Sequence, residues 1–188
     1  MGQPLEGELS RTGELVAEAW DGDVLAGVGV DVAAVLRDGA LDLPGGDSGI
    51  VGLRGIDVTS MCPHHLMPSH GRATVAYRPG ALGAGLGRIA QAVHMSARRL
   101  VLQETLGLDI AGAVIDGLGA HGALCRLELV HTCLVARGER QLRSVCDTVA
   151  FVGSFAAGAA DRAAALAWLG TGSSSPGDVG HTDPASRA

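Results

Sequence analysis

The alternation of apolar and polar residues predicts four β-strands in this chain. They are expected at residues 50–59, 72–78, 123–133 and 145–152. In the third of these segments, the period of two places His131 and Cys133 on the same face of the strand. The two side chains are therefore predicted to address one site.

Apolar residues three and four positions apart predict two longer helices between the second and third strands. The first is expected over residues 86–105, with Gly107 as its interruption, and the second is expected to end at Gly119. Shorter helices are predicted at residues 14–20, 32–37 and 157–169. This order of elements predicts an α+β fold, in which two helices pack on one face of an antiparallel four-stranded sheet.

The length of 188 residues and the hydrophobic content of 47% predict one domain with a substantial core. Residues 51–170 hold the patterned elements and are expected to form that domain. Residues 1–50 are expected to form a variable N-terminal region. Residues 171–188 are rich in Ser, Gly, Pro and Asp, which predicts a disordered tail.

Charge and hydropathy exclude several classes of partner. The net charge of −6 argues against general nucleic-acid binding. No apolar run reaches the length of a membrane span, and the N-terminus lacks the pattern of a signal peptide. We therefore expect a cytoplasmic protein that interacts neither with nucleic acid nor with a membrane. In that compartment its four cysteines are expected to be reduced.

Two short motifs carry the candidate chemistry: Cys62-Pro63-His64-His65 and His131-Thr132-Cys133. A Cys and a His three positions apart can both reach one ion across a tight turn, and Pro63 helps to fix that turn. Cys133 is the best candidate for a third ligand. Three protein ligands leave a position open for water, which is typical of a catalytic zinc site. The alternatives are a Cys62–Cys133 disulfide and two plain buried thiols.

Beyond these motifs, residues 60–155 resemble the GTP cyclohydrolase I family. The matching segments occur in the family's order and at its spacing: 60–68, 75–79, 85–89, 97–104, 131–138, 144–148 and 153–155. The resemblance implies the tunnelling fold, whose sheets join side by side into a barrel across subunits. It also implies a homo-oligomer, a decamer of two stacked pentamers, with active sites between subunits.

The resemblance further implies a zinc-dependent reaction. Guanine C8 of GTP is hydrolysed, formate is released, and 7,8-dihydroneopterin triphosphate is formed for folate or pterin biosynthesis. The implied zinc ligands are Cys62, His65 and Cys133. The implied catalytic residues are His64 and His131, which handle protons.

The implied substrate-binding residues are Glu104 and Gln103 for guanine, and Arg88 and Arg137 for the triphosphate. The chain departs from the family pattern at Pro63, Gly87, Gln91, Gln141 and Cys146. Several of these changes remove phosphate contacts, because Gly87 lacks a hydroxyl and Gln91 lacks a charge. Two alternatives follow: a related cyclohydrolase with another guanine nucleotide or pathway, and a weakly active paralogue that binds zinc and a purine.

Overall fold

The computed structural model describes residues 7–43 and 49–171. The helices and strands are, in chain order, α1 (Thr12–Ala19), α2 (Val32–Arg37), β1 (Ala40–Asp42), β2 (Val51–Met61), β3 (Pro68–Arg78), β4 (Leu82–Ala84), α3 (Leu86–Ala97), α4 (Gln103–Leu118), β5 (Gly122–His131), α5 (Thr132–Val135), β6 (Cys146–Gly153), α6 (Ser154–Ala157) and α7 (Ala159–Gly170).

The main sheet has four antiparallel strands in the order β2–β3–β5–β6. In the register of β3 and β5, Ser69 lies directly opposite His131. Within the described residues, β6 pairs on one side only, and so does β2 apart from an isolated bridge between Met61 and Leu100, so both are edge strands. The antiparallel α+β class predicted from the pattern is confirmed. A separate two-stranded sheet of β1 and β4 was not predicted, because each strand has only three residues.

Helices α3 and α4 cover one face of the main sheet. Ile89 and Val93 of α3, and Leu106 and Ile110 of α4, are fully buried in one core with the apolar side chains of the strands. Helix α2 packs on these two helices from outside. The apolar residues three and four positions apart therefore coincide with the buried face of each helix, except that Leu100, which follows the same spacing, lies beyond the end of α3 and is exposed.

The second face of the sheet is covered at one end by the C-terminal helix α7. A small cluster of Ala76, Leu124, Phe155 and Ala165 is buried there. The guanidinium of Arg54 lies 3.7 Å from the centre of the Trp168 ring and donates to the carbonyl oxygens of Trp168 and Leu169. Arg54 therefore caps the end of α7 and fixes it to β2.

Several predicted boundaries were wrong, and two of them concern the long helices and Cys133. The break between the long helices lies at residues 98–102, and Gly107 is inside α4. A Cβ atom built on Gly107 would lie 3.3 Å from the Cβ of Ala150, so the glycine serves the close packing of α4 on β6. The end of α4 at Gly119 is confirmed, with a left-handed φ of 61°.

The second wrong boundary concerns Cys133. Strand β5 ends at His131, and Cys133 belongs to the short helix α5. The two side chains do not share a strand face, since the chain turns between them. The predicted disorder of residues 171–188 concerns residues outside the described ranges, apart from Thr171. Across residues 7–43 and 49–171, no helix combines the length and apolarity needed to cross a bilayer.

Candidate active site

A closed turn follows β2 and presents Cys62 and His65. The Leu66 amide donates to the Cys62 carbonyl at 3.0 Å, and the Cys62 amide donates to the Met67 carbonyl at 3.0 Å. Leu66 has a φ of 50°, a left-handed conformation that is uncommon outside glycine. These contacts reverse the chain within five residues and bring the side chain of His65 back over Cys62.

Three side chains converge to form a possible metal-binding group: Cys62, His65 and Cys133. Their candidate ligand atoms all lie within 4.8 Å of one another, and Cys62 Sγ is 3.7 Å from His65 Nδ1. Cys62 is buried, Cys133 half-buried and His65 exposed. Cys62 and His65 come from the turn after β2 and Cys133 from helix α5 after β5, and the sheet holds these two segments next to each other through β3.

The chemistry of this group fits zinc. Both cysteines are free thiols, so the disulfide alternative does not apply to the structure. Two sulfurs and one imidazole nitrogen at these separations match the zinc preference for bond lengths of about 2.3 Å to sulfur and about 2.0 Å to nitrogen. Burial raises the pKa of the Cys133 thiol, nearby Cys62 raises it further, and the positive charge of Arg137 acts in the opposite direction. A bound cation would favour the thiolate that burial opposes.

His131 lies beside this group, and each of its two ring nitrogens is in contact with a side chain. Ser69 Oγ is 3.0 Å from Nδ1, and Gln103 Oε1 is 2.7 Å from Nε2. Gln103 is buried, although it is the first residue of α4. Its side-chain nitrogen donates to the carbonyl oxygens of Leu127 and Cys146, both at 2.9 Å, and lies 3.1 Å from Thr148 Oγ1.

These contacts assign the proton on His131. The carbonyls of Leu127 and Cys146 can only accept hydrogen bonds, so the Gln103 amide must turn its NH₂ group towards them. Its oxygen then faces His131, and the ring nitrogen Nε2 must carry a hydrogen. In the neutral ring, Nδ1 holds the lone pair and accepts from the Ser69 hydroxyl.

The two remaining residues of the predicted chemical and guanine sites are exposed. His64 follows Pro63 in the metal turn, and its ring meets that of His65 edge to face, with centroids 6.1 Å apart. Glu104 lies in the first turn of α4, where the helix dipole favours a carboxylate. It borders a cleft of about 440 Å³ that Thr148, Phe151 and Arg162 also line.

The predicted phosphate-binding arginines lie in different places. Arg137 follows α5, close enough for its charge to act on Cys133. Arg88 is exposed in the first turn of α3, and its guanidinium donates to Gln91 Oε1 at 3.0 Å. Among the described residues, no hydrogen bond or ion pair joins Arg88 to the metal-binding group.

Sequence reasoning missed Ser69. It belongs to no motif, and the strand that carries it was predicted to begin only at residue 72, whereas β3 begins at Pro68. Its partner His131 was identified, but the pairing depends on the register of β3 against β5. Extending the predicted strand β3 back to residue 68, and pairing it with β5 as far as His131, would have placed Ser69 opposite that histidine.

Comparisons with known proteins point to one family. The family model of GTP cyclohydrolase I matches residues 2–169. The chain is 42% identical to GTP cyclohydrolase 1 of Leifsonia xyli subsp. xyli over 164 residues, covering 87% of this chain and 84% of the relative. It is 37% identical to GTP cyclohydrolase 1 of Deinococcus radiodurans, covering 78% and 67%.

Among solved structures, the apo form of the archaeosine synthase QueF-Like is similar, with a TM-score of 0.46 and 17% identity. The similarity covers 56% of this chain and 94% of that one. The family match spans nearly the whole chain and includes both halves of the metal-binding group. The chain therefore belongs to the GTP cyclohydrolase I family.

Proposed function

We propose that this protein is a zinc-dependent GTP cyclohydrolase I. It would use water to open the guanine ring of GTP at C8, release formate and form 7,8-dihydroneopterin triphosphate for folate or pterin biosynthesis. The observation that carries the proposal is the meeting of Cys62, His65 and Cys133, with His131 held two residues from Cys133. Family membership over residues 2–169 supports it.

Cys62, His65 and Cys133 would hold the zinc ion. Zinc bound by three protein ligands supplies a Lewis acid that activates water near neutral pH. The half-buried position of Cys133 limits the access of bulk water to its sulfur. The closed turn at Leu66 holds the side chains of Cys62 and His65 close together.

His131 and His64 would move the protons of the reaction. Protonation of the imidazole ring of guanine by His131 makes that ring open to attack, since a neutral purine resists it. The hydrogen on Nε2 of His131 is held by Gln103, so the approach of substrate must replace that contact, while the contact of Nδ1 with Ser69 stays. His64 is exposed beside His65, so a ligand can reach its ring, and it would handle protons near the ribose.

Glu104 would recognise guanine. Its carboxylate can accept hydrogen bonds from N1–H and from the exocyclic amine, a pair of donors that adenine does not offer. Its exposure at the mouth of the cleft with Thr148 and Arg162 leaves the carboxylate available to a ligand. Gln103 would stabilise the same site from its buried position, because its side chain is hydrogen-bonded to His131 and to the carbonyl oxygens of Leu127 and Cys146.

Arg137 and Arg88 would bind the triphosphate. Arg137 is near Cys133, whereas Arg88 lies in the first turn of α3 and, among the described residues, has no hydrogen bond or ion pair to the metal-binding group. We therefore propose that Arg88 serves the site of a neighbouring subunit in a cytoplasmic homo-oligomer of two pentamers. The unpaired edges of β2 and β6 support an assembly in which the sheets continue into a barrel across subunits.

A turnover assay with GTP, GDP and GMP tests the function. Zinc-loaded protein is incubated with each nucleotide, and formate and oxidised, dephosphorylated neopterin are measured. We expect both products from GTP in preference to GDP and GMP. Formate with another preference would favour a related cyclohydrolase, a second candidate that the uncharged Gln91 beside Arg88 supports. Zinc-loaded protein that releases no formate from any of the three would contradict both.

A further inference from the structure

Ser69 holds its hydroxyl against a ring nitrogen of His131 in a nearly solvent-free position. Ser69 is 4% exposed, and its Oγ lies 3.0 Å from Nδ1. Because Gln103 requires a hydrogen on Nε2, the Nδ1 lone pair of the neutral ring points at Ser69. The hydroxyl is the donor that this lone pair needs, since a buried acceptor without a donor is costly.

The contact is not needed to hold the strand ends together. Ser69 and His131 are already opposed by the backbone pairing of β3 with β5. Thr132 Oγ1 also donates to the Pro68 carbonyl at 2.6 Å, which fixes the first residue of β3 to the start of α5. Removal of the Ser69 hydroxyl therefore leaves the backbone in place and acts on the His131 ring.

We infer that Ser69 is a positioning residue for the proposed reaction, which aligns the His131 ring together with Gln103. With both contacts, the ring has one orientation and one tautomer. With Gln103 alone, Nδ1 loses its partner and the ring gains freedom to turn away from the orientation needed for proton transfer. This inference rests on the proposed role of His131, and Ser69 itself is not expected to touch the substrate.

A matched pair of variants isolates the hydroxyl. Thr and Val have the same shape, so Ser69→Thr keeps a donor while Ser69→Val removes it. Ser69→Ala removes the donor without adding volume. Ser96→Ala is the control, because Ser96 is also buried but its hydroxyl has no hydrogen-bond partner among the described residues.

We expect kcat for formate release to fall about fivefold to twentyfold in Ser69→Ala and Ser69→Val, the effect of one lost hydrogen bond in the transition state. KM for GTP and bound zinc should stay within about twofold, since neither the guanine site nor a ligand has changed. Ser69→Thr should recover kcat to within about threefold, and Ser96→Ala should match the unmodified protein.

Equal kcat values in Ser69→Thr and Ser69→Val would overturn the inference, as would a normal kcat in Ser69→Ala. If the unmodified protein released no formate at all, the proposed function would fail, and crystal structures of the zinc-loaded variants would still test Ser69. We expect the His131 ring to leave its orientation in Ser69→Val and to keep it in Ser69→Thr. The same orientation in both would overturn the role of Ser69.

Discussion

The metal-binding end of the site and the proposed phosphate-binding end differ in how firmly the fold holds their side chains. At the metal end, Cys62 is fixed by two backbone hydrogen bonds and His131 by two side chains. At the phosphate end, the side chain of Arg88 is exposed and, within the part of the chain that the structure describes, has a single hydrogen bond, to Gln91. The chemistry requires alignment to fractions of an ångström, whereas an arginine that attracts phosphate can work from a flexible position.

This difference accounts for two departures from the family pattern, Gly87 and Gln91, but not for Pro63, which lies in the metal turn. The ligand and histidine positions are all retained, while Gly87 and Gln91 replace residues expected to contact phosphate. Loss of one exposed cation weakens binding only moderately. Loss of a metal ligand or of an aligned histidine removes the reaction itself. Five experiments with six substitutions follow from this contrast, from the largest expected effect to the smallest.

Cys133→Ala should abolish zinc binding and lower kcat by more than about a thousandfold, because two ligands hold the ion poorly and the open position is lost. Metal content by mass spectrometry and formate release are the measurements. Cys125→Ala is a control cysteine, since burial raises the pKa of Cys125 to about 12 and it lies in the core away from the ligands. Stoichiometric zinc in Cys133→Ala would remove Cys133 from the ligand set.

His131→Ala should keep zinc and lose about a hundredfold to ten-thousandfold in kcat, the range of a general acid. Zinc content and single-turnover formate release separate the two effects. A variant with normal turnover would mean that another group protonates the guanine ring. Loss of zinc in this variant would instead show that His131 serves to orient Cys133 for metal binding.

Glu104→Gln should raise KM for GTP about tenfold to a hundredfold, because the amide can accept only one of the two hydrogen bonds and places a donor against guanine. Steady-state kinetics with GTP measure this change. Glu18→Gln, an exposed residue on α1, provides a control of equal charge change. An unchanged KM in Glu104→Gln would assign guanine recognition to other residues.

Arg88→Ala and Gln91→Arg should move GTP binding in opposite directions. The first should raise KM for GTP about threefold to tenfold, and the second, which adds a cation on the same helix face, should lower it about threefold. GMP, which lacks the outer phosphates, serves as the comparison substrate. Equal effects on GTP and GMP would show that α3 does not contact the triphosphate.

Asp147→Asn should have the smallest effect. A hydrogen bond from Arg126 lowers the pKa of Asp147, so the carboxylate stabilises the fold above its unfolded pKa of about 3.9, and this contribution is lost as pH falls through the lower folded value. The pair is partly exposed, so we expect less than about 1 kcal/mol at pH 7 and a smaller difference at about pH 3, below the unfolded pKa. Urea unfolding at both pH values measures the difference in the free energy of unfolding between Asp147→Asn and the unmodified protein. A larger difference at low pH than at pH 7 would contradict this prediction.

Much of the fold could be predicted from the sequence, because the spacing of apolar residues indicates which side chains are buried. The faces of α3 and α4 and the existence of the four main strands follow from it. The helix boundary near Gly107 failed because a glycine inside a helix can serve close packing as well as end it. Cys133 belongs to the predicted metal-binding group although it lies in helix α5. The group depends on how the fold brings the three side chains together, and a shared strand face is not needed.

The network around His131 could not be predicted. Gln103 contacts residues 24 and 43 positions away from it, and Ser69 contacts a residue 62 positions away. Such contacts depend on strand register and on which strands α4 packs against, and no local pattern encodes either. The metal motif was recognisable because its chemistry needs particular residue types at short spacing, which a serine opposite a histidine does not.

Formate release from GTP by zinc-loaded protein, measured side by side with Cys133→Ala, tests the central claim most directly. Both proteins are purified identically, their zinc content is determined, and formate and neopterin are followed under the same conditions. We predict both products from the unmodified protein at stoichiometric zinc, and neither from the zinc-free variant. Formate at equal rates from both proteins, or from neither while the unmodified protein holds zinc, would contradict a reaction centred on Cys62, His65 and Cys133.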